Sequence, residues 1–257
     1  CKLQLGVGSN TPTSAVLGEC GRDRMYVICL CKCVKYWSKL ILLSSDSLLG
    51  SCYEMMYRQC LLGKKNWASE IRDILYRYGF GWAWECQAIL DVPNFLKDFS
   101  NRVKDCELQL WSSELNEMSK LKTYCLFKDT RTRELYLNLS IPRKLRSMLS
   151  RFRTGNHSLE IERGRHYNVK TKDRLCKLCL LNNVKEIEDE FHVLFHCQTY
   201  QDVRNVYIST KQSNLYDFIT VMKCDDPTKI VNLANLLYSI FKIRRQHLDN
   251  LCSVSNV

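Results

Sequence analysis

Residues 174–197 read RLCKLCLLNNVKEIEDEFHVLFHC and place Cys176, Cys179, His192 and Cys197 in the order C-x2-C-x12-H-x4-C. Zinc prefers four nitrogen or sulfur ligands at tetrahedral corners, and a Cys-x-x-Cys turn supplies two thiolates from one short segment. The acidic residues between 186 and 190 precede His192 as in the first turn of a helix, so we expect the second ligand pair on that helix. The spacing therefore predicts a structural zinc module of the C2HC type.

Two alternatives to this ligand set remain open. With His196 in place of Cys197 the spacing becomes C-x2-C-x12-H-x3-H, which is shared with DNA-reading zinc fingers. Those fingers need apolar core residues between the two ligand pairs, where this sequence has Asn183 and Asp189, and the difference favours Cys197. The other alternative is a chance grouping in a chain with 15 cysteines. The ordered spacing and the basic flank argue against it.

Positive charge is concentrated just before and within this module. The formal net charge of the chain is +11, and residues 143–177 hold eleven Lys and Arg against Glu160, Glu162 and Asp173. Such a surplus is typical of a surface that binds a polyanion, most often a phosphate backbone, although a solvated surface gives the same pattern. We also expect Arg174 and Lys177 to offset the negative charge of a zinc ion bound by three thiolates. The predicted nucleic-acid-binding residues are Arg143, Lys144, Arg146, Arg151, Arg153, Arg163, Arg165, Lys170, Lys172, Arg174 and Lys177.

The apolar residues recur with helical periodicity along almost the whole chain, and few Gly or Pro residues interrupt them. A hydrophobic content of 46% in 257 residues is sufficient for one or two compact units. We therefore expect a mainly α fold, in which a multi-helix body carries the small zinc module near the C-terminal third. Leu159 and Ile161 alternate as in a brief strand. The predicted helices cover 22–43, 47–62, 67–78 and 142–153, and two more begin near Pro93 and at Asp226-Pro227.

The cysteine content and the longest apolar stretch predict the compartment. The number of cysteines is odd, the chain is long, and no signal peptide opens it, so we expect a reducing, intracellular location in the cytoplasm and nucleus. No membrane partner is expected, because Lys32, Lys35 and Lys39 interrupt the longest apolar stretch. The chain begins at Cys1 rather than Met, which predicts a fragment of a longer reading frame.

Several motifs occur together between residues 150 and 200: SRFRTGNH (150–157), LEIERGR (159–165), RLCKLC (174–179) and EDEFH (188–192) followed by Cys197. They resemble the C-terminal part of LINE-type, non-long-terminal-repeat retrotransposon reverse transcriptases. Similarity to the segment after the polymerase core extends upstream, so that the resemblance covers essentially the whole chain. The upstream motifs are LGVG (5–8), TPTS (11–14), AVLGECG (15–21), Trp67 with Ile71, and GFG (79–81) with Trp84.

This resemblance implies a helical region after the polymerase thumb that ends in a zinc knuckle. In such proteins the knuckle holds template RNA or target DNA during target-primed reverse transcription, and the remainder of the reverse transcriptase polypeptide is a further partner. The expected regions are a thumb-like or connecting region (1–90), a helical region ending in a basic helix (91–155), the zinc-knuckle module (156–205) and C-terminal helices (206–257).

Catalysis is not implied by the resemblance. Polymerases need paired aspartates that hold two metal ions in the palm. The adjacent pair Asp225-Asp226 precedes Pro227 and is interpreted as a helix cap. The tail also lacks a nuclease motif, so we expect no enzyme activity. Two other functions remain open: a zinc-stapled structural or protein-interaction unit whose basic helix pairs with an acidic partner, and a degenerate copy without activity.

Overall fold

The computed structural model describes residues 1–207 and 214–254, with side chains described as far as residue 250. Within these ranges the chain is mainly helical, as predicted, and no strand forms, although Leu175 and Ile187 pair in an isolated antiparallel bridge. Of the predicted C-terminal region 206–257, residues 208–213 and 255–257 lie outside the described residues. No helix in the described ranges is both long and apolar enough to cross a bilayer.

Helices connected by short turns make up the described chain. Single 3-10 turns occur at Ser119–Leu121, Leu135–Leu137, Thr171–Asp173 and Gln198–Tyr200, and one turn of π-helix occurs at His192–His196. The α-helices are α1 (Lys2–Leu5), α2 (Thr13–Cys20), α3 (Met25–Leu40), α4 (Leu48–Leu61), α5 (Trp67–Arg77), α6 (Gly81–Cys86), α7 (Val92–Glu117), α8 (Lys122–Phe127), α9 (Arg143–Arg153), α10 (Glu160–His166), α11 (Lys177–Leu180), α12 (Gln201–Tyr207), α13 (Leu215–Met222) and α14 (Pro227–Val254).

The chain divides into two compact units. Unit 1 comprises Cys1–Arg22 and Ser112–Val257, and unit 2 comprises Asp23–Trp111. The first of their two boundaries in the chain lies between α2 and α3, and the second lies inside α7. Unit 1 contains 26 Lys and Arg against 17 Asp and Glu, whereas unit 2 contains 12 against 10. The surplus of positive charge therefore belongs almost entirely to unit 1, while the predicted division into four regions stays a prediction.

Unit 2 is built around an aromatic core. Trp37 of α3 is fully buried, its indole Nε1 donates a hydrogen bond to Tyr53 Oη at 2.8 Å, and its ring stacks on Trp84 with the centroids 6.4 Å apart. The apolar side of α7 closes this core with Phe95 and Phe99. Because a buried indole N–H must be satisfied, the bond to Tyr53 is part of what makes this core stable.

Unit 1 is organised around the packing of α9 against α14. The helix α9 begins directly after Pro142 and ends at Arg153, as the amphipathic pattern predicts. Its apolar side is buried through Leu145, Leu149 and Phe152, and the Phe152 ring meets Phe241 of α14 edge-on at 6.3 Å. At the start of α14, the Asp226 carboxylate accepts hydrogen bonds from the amides of Thr228 and Lys229, so it caps the helix as predicted.

Two local predictions near the ligand residues are wrong. Instead of a brief strand at Leu159 and Ile161, the chain forms α10, in which the Leu159 carbonyl accepts hydrogen bonds from the amides of Glu162 and Arg163. Acidic residues in its first turn and basic residues in its last turn both match the helix dipole, which favours the helix over so short an alternation. The second wrong prediction concerns Cys197: a short helix does form over residues 190–196 and carries His192, with its His192–His196 part in π-helical geometry, but Cys197 follows its end in an extended conformation.

Candidate metal centre and basic surface

The four predicted metal ligands come together in unit 1. One ligand atom from each of Cys176, Cys179, His192 and Cys197 lies within 4.8 Å of all the others, and all four residues are buried. Cys176 caps α11, which contains Cys179, while His192 opens the π-turn and Cys197 follows its end.

Backbone hydrogen bonds bring the two ligand pairs together across a long loop. The Cys176 amide donates to the Glu186 carbonyl at 2.8 Å, and the Glu188 amide donates to the Arg174 carbonyl at 2.9 Å. These bonds place the segment after α11 beside the segment before it. The π-turn is closed by the Cys197 amide, which donates to the His192 carbonyl at 2.9 Å. The extra residue in this turn sets the position of the Cys197 thiol relative to the imidazole of His192.

Two distances within this cluster are close to those between ligands of a tetrahedrally coordinated zinc ion. Cys179 Sγ lies 3.3 Å from His192 Nε2 and 3.6 Å from Cys197 Sγ. Zinc–sulfur bonds of about 2.3 Å and zinc–nitrogen bonds of about 2.05 Å place such atoms about 3.6 to 3.8 Å apart. A disulfide would need about 2.05 Å between the sulfurs, and all three cysteines are free. The cluster could therefore bind a metal ion.

The alternative ligand His196 lies outside the cluster. Its side chain is exposed, and its ring meets Phe191 edge-on with the centroids 4.8 Å apart. The geometry thus brings Cys197 to the other three ligands and leaves His196 beside them. A cavity of about 210 Å³, lined by Cys179, His192, His196 and Glu186 among others, opens next to the cluster. Cys179 and His192 therefore border this cavity.

Without a bound cation, two of the three thiols resist ionisation. The hydrogen bond with Cys197, together with burial, raises the pKa of Cys176 to about 12. Burial and the neighbouring Cys176 raise the pKa of Cys179 to about 11. The hydrogen bond from Cys176 lowers the pKa of Cys197, which is therefore the thiol that ionises most readily. A bound cation favours the thiolate form of all three.

The sequence predicted that Arg174 and Lys177 would offset the negative charge of the thiolates. In the structure, Arg204 is the arginine whose guanidinium bonds to a ligand residue, Cys197. Its buried guanidinium donates from Nη2 to the Cys197 carbonyl at 2.7 Å and to Gln201 Oε1 at 2.8 Å. Burial lowers the pKa of Arg204, and the nearby Cys197 opposes that shift. Lys177 instead lies 3.6 Å from Glu160, and Arg174 donates to backbone carbonyls. The sequence pattern gave no indication of this contact, which depends on packing.

A buried ion pair that the sequence did not predict, between Glu188 and Arg244, lies next to the cluster. Glu188 is buried, with Oε1 3.9 Å from Cys176 Sγ. Arg244 of α14 holds this carboxylate with two hydrogen bonds of 2.8 and 2.6 Å and also reaches Glu160 at 3.4 Å. Because Arg244 is 56 residues from Glu188, no local pattern indicates the pairing. Through it, α14 is fixed to the ligand segment.

The predicted nucleic-acid-binding residues fall into three groups by exposure. One of them, Arg153, is buried. Four are half-buried, namely Arg146, Arg163, Arg165 and Arg174. Six are exposed, namely Arg143, Lys144, Arg151, Lys170, Lys172 and Lys177.

Arg153 corrects the prediction for α9. Its guanidinium lies 2.9 Å from Glu19 and 2.9 Å from Glu134, and it also donates to the Met222 carbonyl. The Arg153 side chain that makes these contacts is only 4% exposed. A phosphate cannot reach this charge, so Arg153 is an internal ion-pair partner. The hydrophobic neighbours at Leu149 and Phe152 were the available signal, since Arg153 lies on the same side of the helix.

Three of the half-buried arginines also bond to other residues of unit 1. Arg163 lies 3.6 Å from Glu160, and Arg165 lies 3.1 Å from Glu162 while donating to the Ser119 hydroxyl at 2.7 Å. Arg174 donates to the carbonyls of Val169 and Ile161. The positive charge that faces solvent therefore comes mainly from the exposed group.

No protein-family model, curated protein or solved structure matches the chain. The resemblance to LINE-type reverse transcriptases rests on the motifs alone and stays a prediction.

Proposed function

We propose that this chain is a non-catalytic, nucleic-acid-binding C-terminal region of a LINE-type retrotransposon reverse transcriptase. In this proposal a structural zinc ion organises a module that holds template RNA or target DNA through phosphate contacts. The observation that supports it most is the buried Cys176, Cys179, His192 and Cys197 cluster within the unit that carries the positive surplus.

Zinc is the ion that this donor set favours. Three thiolates and one imidazole are soft to borderline ligands, and four protein ligands complete a tetrahedral site. A site with all four positions filled leaves none for water, so the ion would stabilise the fold rather than activate a nucleophile. The same chemistry supports a reducing compartment, because oxidised thiols do not bind zinc.

The proposed binding surface starts on α9. Arg143, Lys144 and Arg151 are exposed there, and Lys144 Nζ lies 5.0 Å above the Tyr238 ring of α14. On α14, exposed Lys242 lies four residues after Tyr238, and exposed Arg245 lies three residues after Lys242. These spacings place all three residues on the same side of that helix. Both of these packed helices thus carry exposed cations that are available to a phosphate backbone.

A titration of labelled RNA hairpin and DNA duplex tests this proposal. We expect binding that weakens as salt increases, and weaker binding after a chelator removes the metal. Replacing Arg143, Lys144 and Arg151 together by Gln should reduce the slope of log affinity against log salt by up to about 2.7 for the duplex, at roughly 0.9 per lost phosphate contact. The control is Lys64→Gln with Lys65→Gln, which removes two exposed charges from unit 2 and should leave the slope unchanged.

The second candidate is a zinc-stapled structural or protein-interaction unit. It is favoured by the internal pairing of Arg153, Arg163, Arg165 and Lys177, which uses cations for packing rather than for a ligand. Salt-independent binding, or a triple variant that binds like the control pair, would support this candidate against the first. A degenerate copy without activity would fail earlier, by neither retaining zinc nor folding.

A further inference from the structure

The segment His166–Lys172, here called the 166–172 loop, connects α10 to the turn before α11 and presents an aromatic ring between cations. Tyr167 is 75% exposed, and His166, Lys170 and Lys172 are exposed with it. Neither lysine side chain makes an ion pair or a hydrogen bond with any residue that the structure describes. The nearest acid along the chain is Asp173, which is also exposed.

This loop is held in one conformation by α10 and by Arg174. The Val169 amide donates to the Gly164 carbonyl at 2.8 Å, and Asn168 adopts a left-handed conformation with φ 55°. Arg174 donates from Nε and Nη2 to the Val169 carbonyl at 3.0 and 2.9 Å, and from Nη1 to the Ile161 carbonyl at 2.8 Å. Its side chain crosses Gly164 so closely that a Cβ there would lie 2.6 Å from Arg174 Cγ. The loop is therefore preorganised, and a ligand need not order it.

We propose that the 166–172 loop binds single-stranded nucleic acid, with the Tyr167 ring stacked on one base and with Lys170 and Lys172 on the neighbouring phosphates. This inference rests on the proposed function and adds to it which form of nucleic acid the loop selects. An exposed aromatic ring accepts the face of any base, but in a duplex those faces are already covered by their neighbours. Arg174 is the positioning residue of this site.

Fluorescence anisotropy with a labelled 12-nucleotide single-stranded RNA and a DNA duplex of the same sequence tests the inference. We expect Tyr167→Leu to weaken single-strand binding about 5- to 150-fold, the loss typical of one stacked base, and to change duplex binding less than about twofold. Tyr167→Phe keeps the ring and should bind as the unchanged chain does. Tyr216→Leu is the matched control, because Tyr216 of α13 in the same unit is also 75% exposed.

The lysines provide a second readout. Lys170→Gln combined with Lys172→Gln should reduce the single-strand salt slope by about 1.4, at roughly 0.7 per phosphate contact. If Tyr167→Leu binds single strands no more weakly than Tyr216→Leu, the inference is overturned while the proposed function stands. A chain that binds the duplex but not the single strand would also overturn the inference and leave the proposed function standing. A chain that binds neither nucleic acid overturns both.

Discussion

Arg151 and Arg153 show how two identical side chains on one helix take different roles. Both belong to the basic pattern of α9, yet Arg151 is exposed and donates to the Gly6 carbonyl, whereas Arg153 is buried between Glu19 and Glu134. A charge pattern counts cations but cannot show which of them has a buried carboxylate opposite. Glu19 lies 134 residues from Arg153, so only the folded chain reveals the pair.

Arg153→Ala should destabilise unit 1 by about 3 to 5 kcal/mol, because it leaves the buried carboxylate of Glu19 without its partner. Arg151→Ala, two residues away, should cost less than about 1 kcal/mol, since an exposed cation loses little. Chemical denaturation followed by far-ultraviolet circular dichroism measures both. Equal losses in the two variants would contradict the assignment of Arg153 as an internal ion-pair partner.

Proton release provides a test of the metal cluster. The raised pKa values of Cys176 and Cys179, about 12 and about 11, mean that both thiols are protonated at pH 7 when no cation is bound. Zinc binds the thiolates, so binding must release these protons, and the apparent affinity must rise with pH. Titration calorimetry in two buffers of different ionisation enthalpy should show release of at least two protons, those of Cys176 and Cys179. Cys52→Ser, at an exposed cysteine, serves as the control and should change neither the stoichiometry nor the proton count.

The ends of individual helices were predicted correctly from the sequence where the contacts that determine them are local. The start of α9 after Pro142 and the capping of α14 by Asp226 depend on neighbours within a few residues, and both were predicted. The ligand spacing was predictable for the same reason. By contrast, α10 was not predicted, because the alternation of Leu159 and Ile161 indicated a strand and the charges at the two ends of the helix were given less weight. The hydrogen bond from the Ile161 amide to the Glu188 carbonyl joins distant segments and cannot be predicted from a local pattern. Arg204 and Arg244 were missed because their roles depend on packing.

Arg174→Ala should loosen the 166–172 loop without releasing the metal. Three hydrogen bonds to the carbonyls of Val169 and Ile161 are lost, each worth about 0.5 to 1.5 kcal/mol. Hydrogen exchange at the amides of Asn168 and Val169 should therefore accelerate roughly 10- to 100-fold. Arg163→Ala removes a comparable half-buried arginine with a single 3.6 Å ion pair and should leave these amides unchanged. Loss of zinc in the Arg174 variant would instead show that Arg174 supports the metal ligands.

The whole molecule joins residues that are distant in the sequence. Residues 1–22 belong to the same unit as residues 112–257, and the Glu19 carboxylate accepts a hydrogen bond from Tyr136 Oη at 2.6 Å while pairing with Arg153. Periodicity and composition describe segments, so they could not predict that the chain leaves unit 1 and returns to it. They did predict that one or two compact units would form.

Metal removal should affect the two units differently. Structural zinc sites carry apparent binding free energies of about 10 to 16 kcal/mol, which is comparable to the whole stability of a typical domain. Unit 2 contains none of the four ligands and has its own buried core around Trp37 and Phe99. We therefore expect a chelator to abolish amide protection in α10, α11 and the segment 186–197.

Protection in α3, α4 and α5 should stay the same under these conditions. Hydrogen exchange read by mass spectrometry, with and without chelator, resolves the two sets of peptides. Cys197→Ser should reproduce the effect of the chelator without any added reagent, and His196→Ala should not, because His196 lies outside the cluster. Equal loss of protection in both units would mean that unit 2 depends on the metal centre for its own stability. Unchanged protection in both would mean that the cluster is held by packing alone.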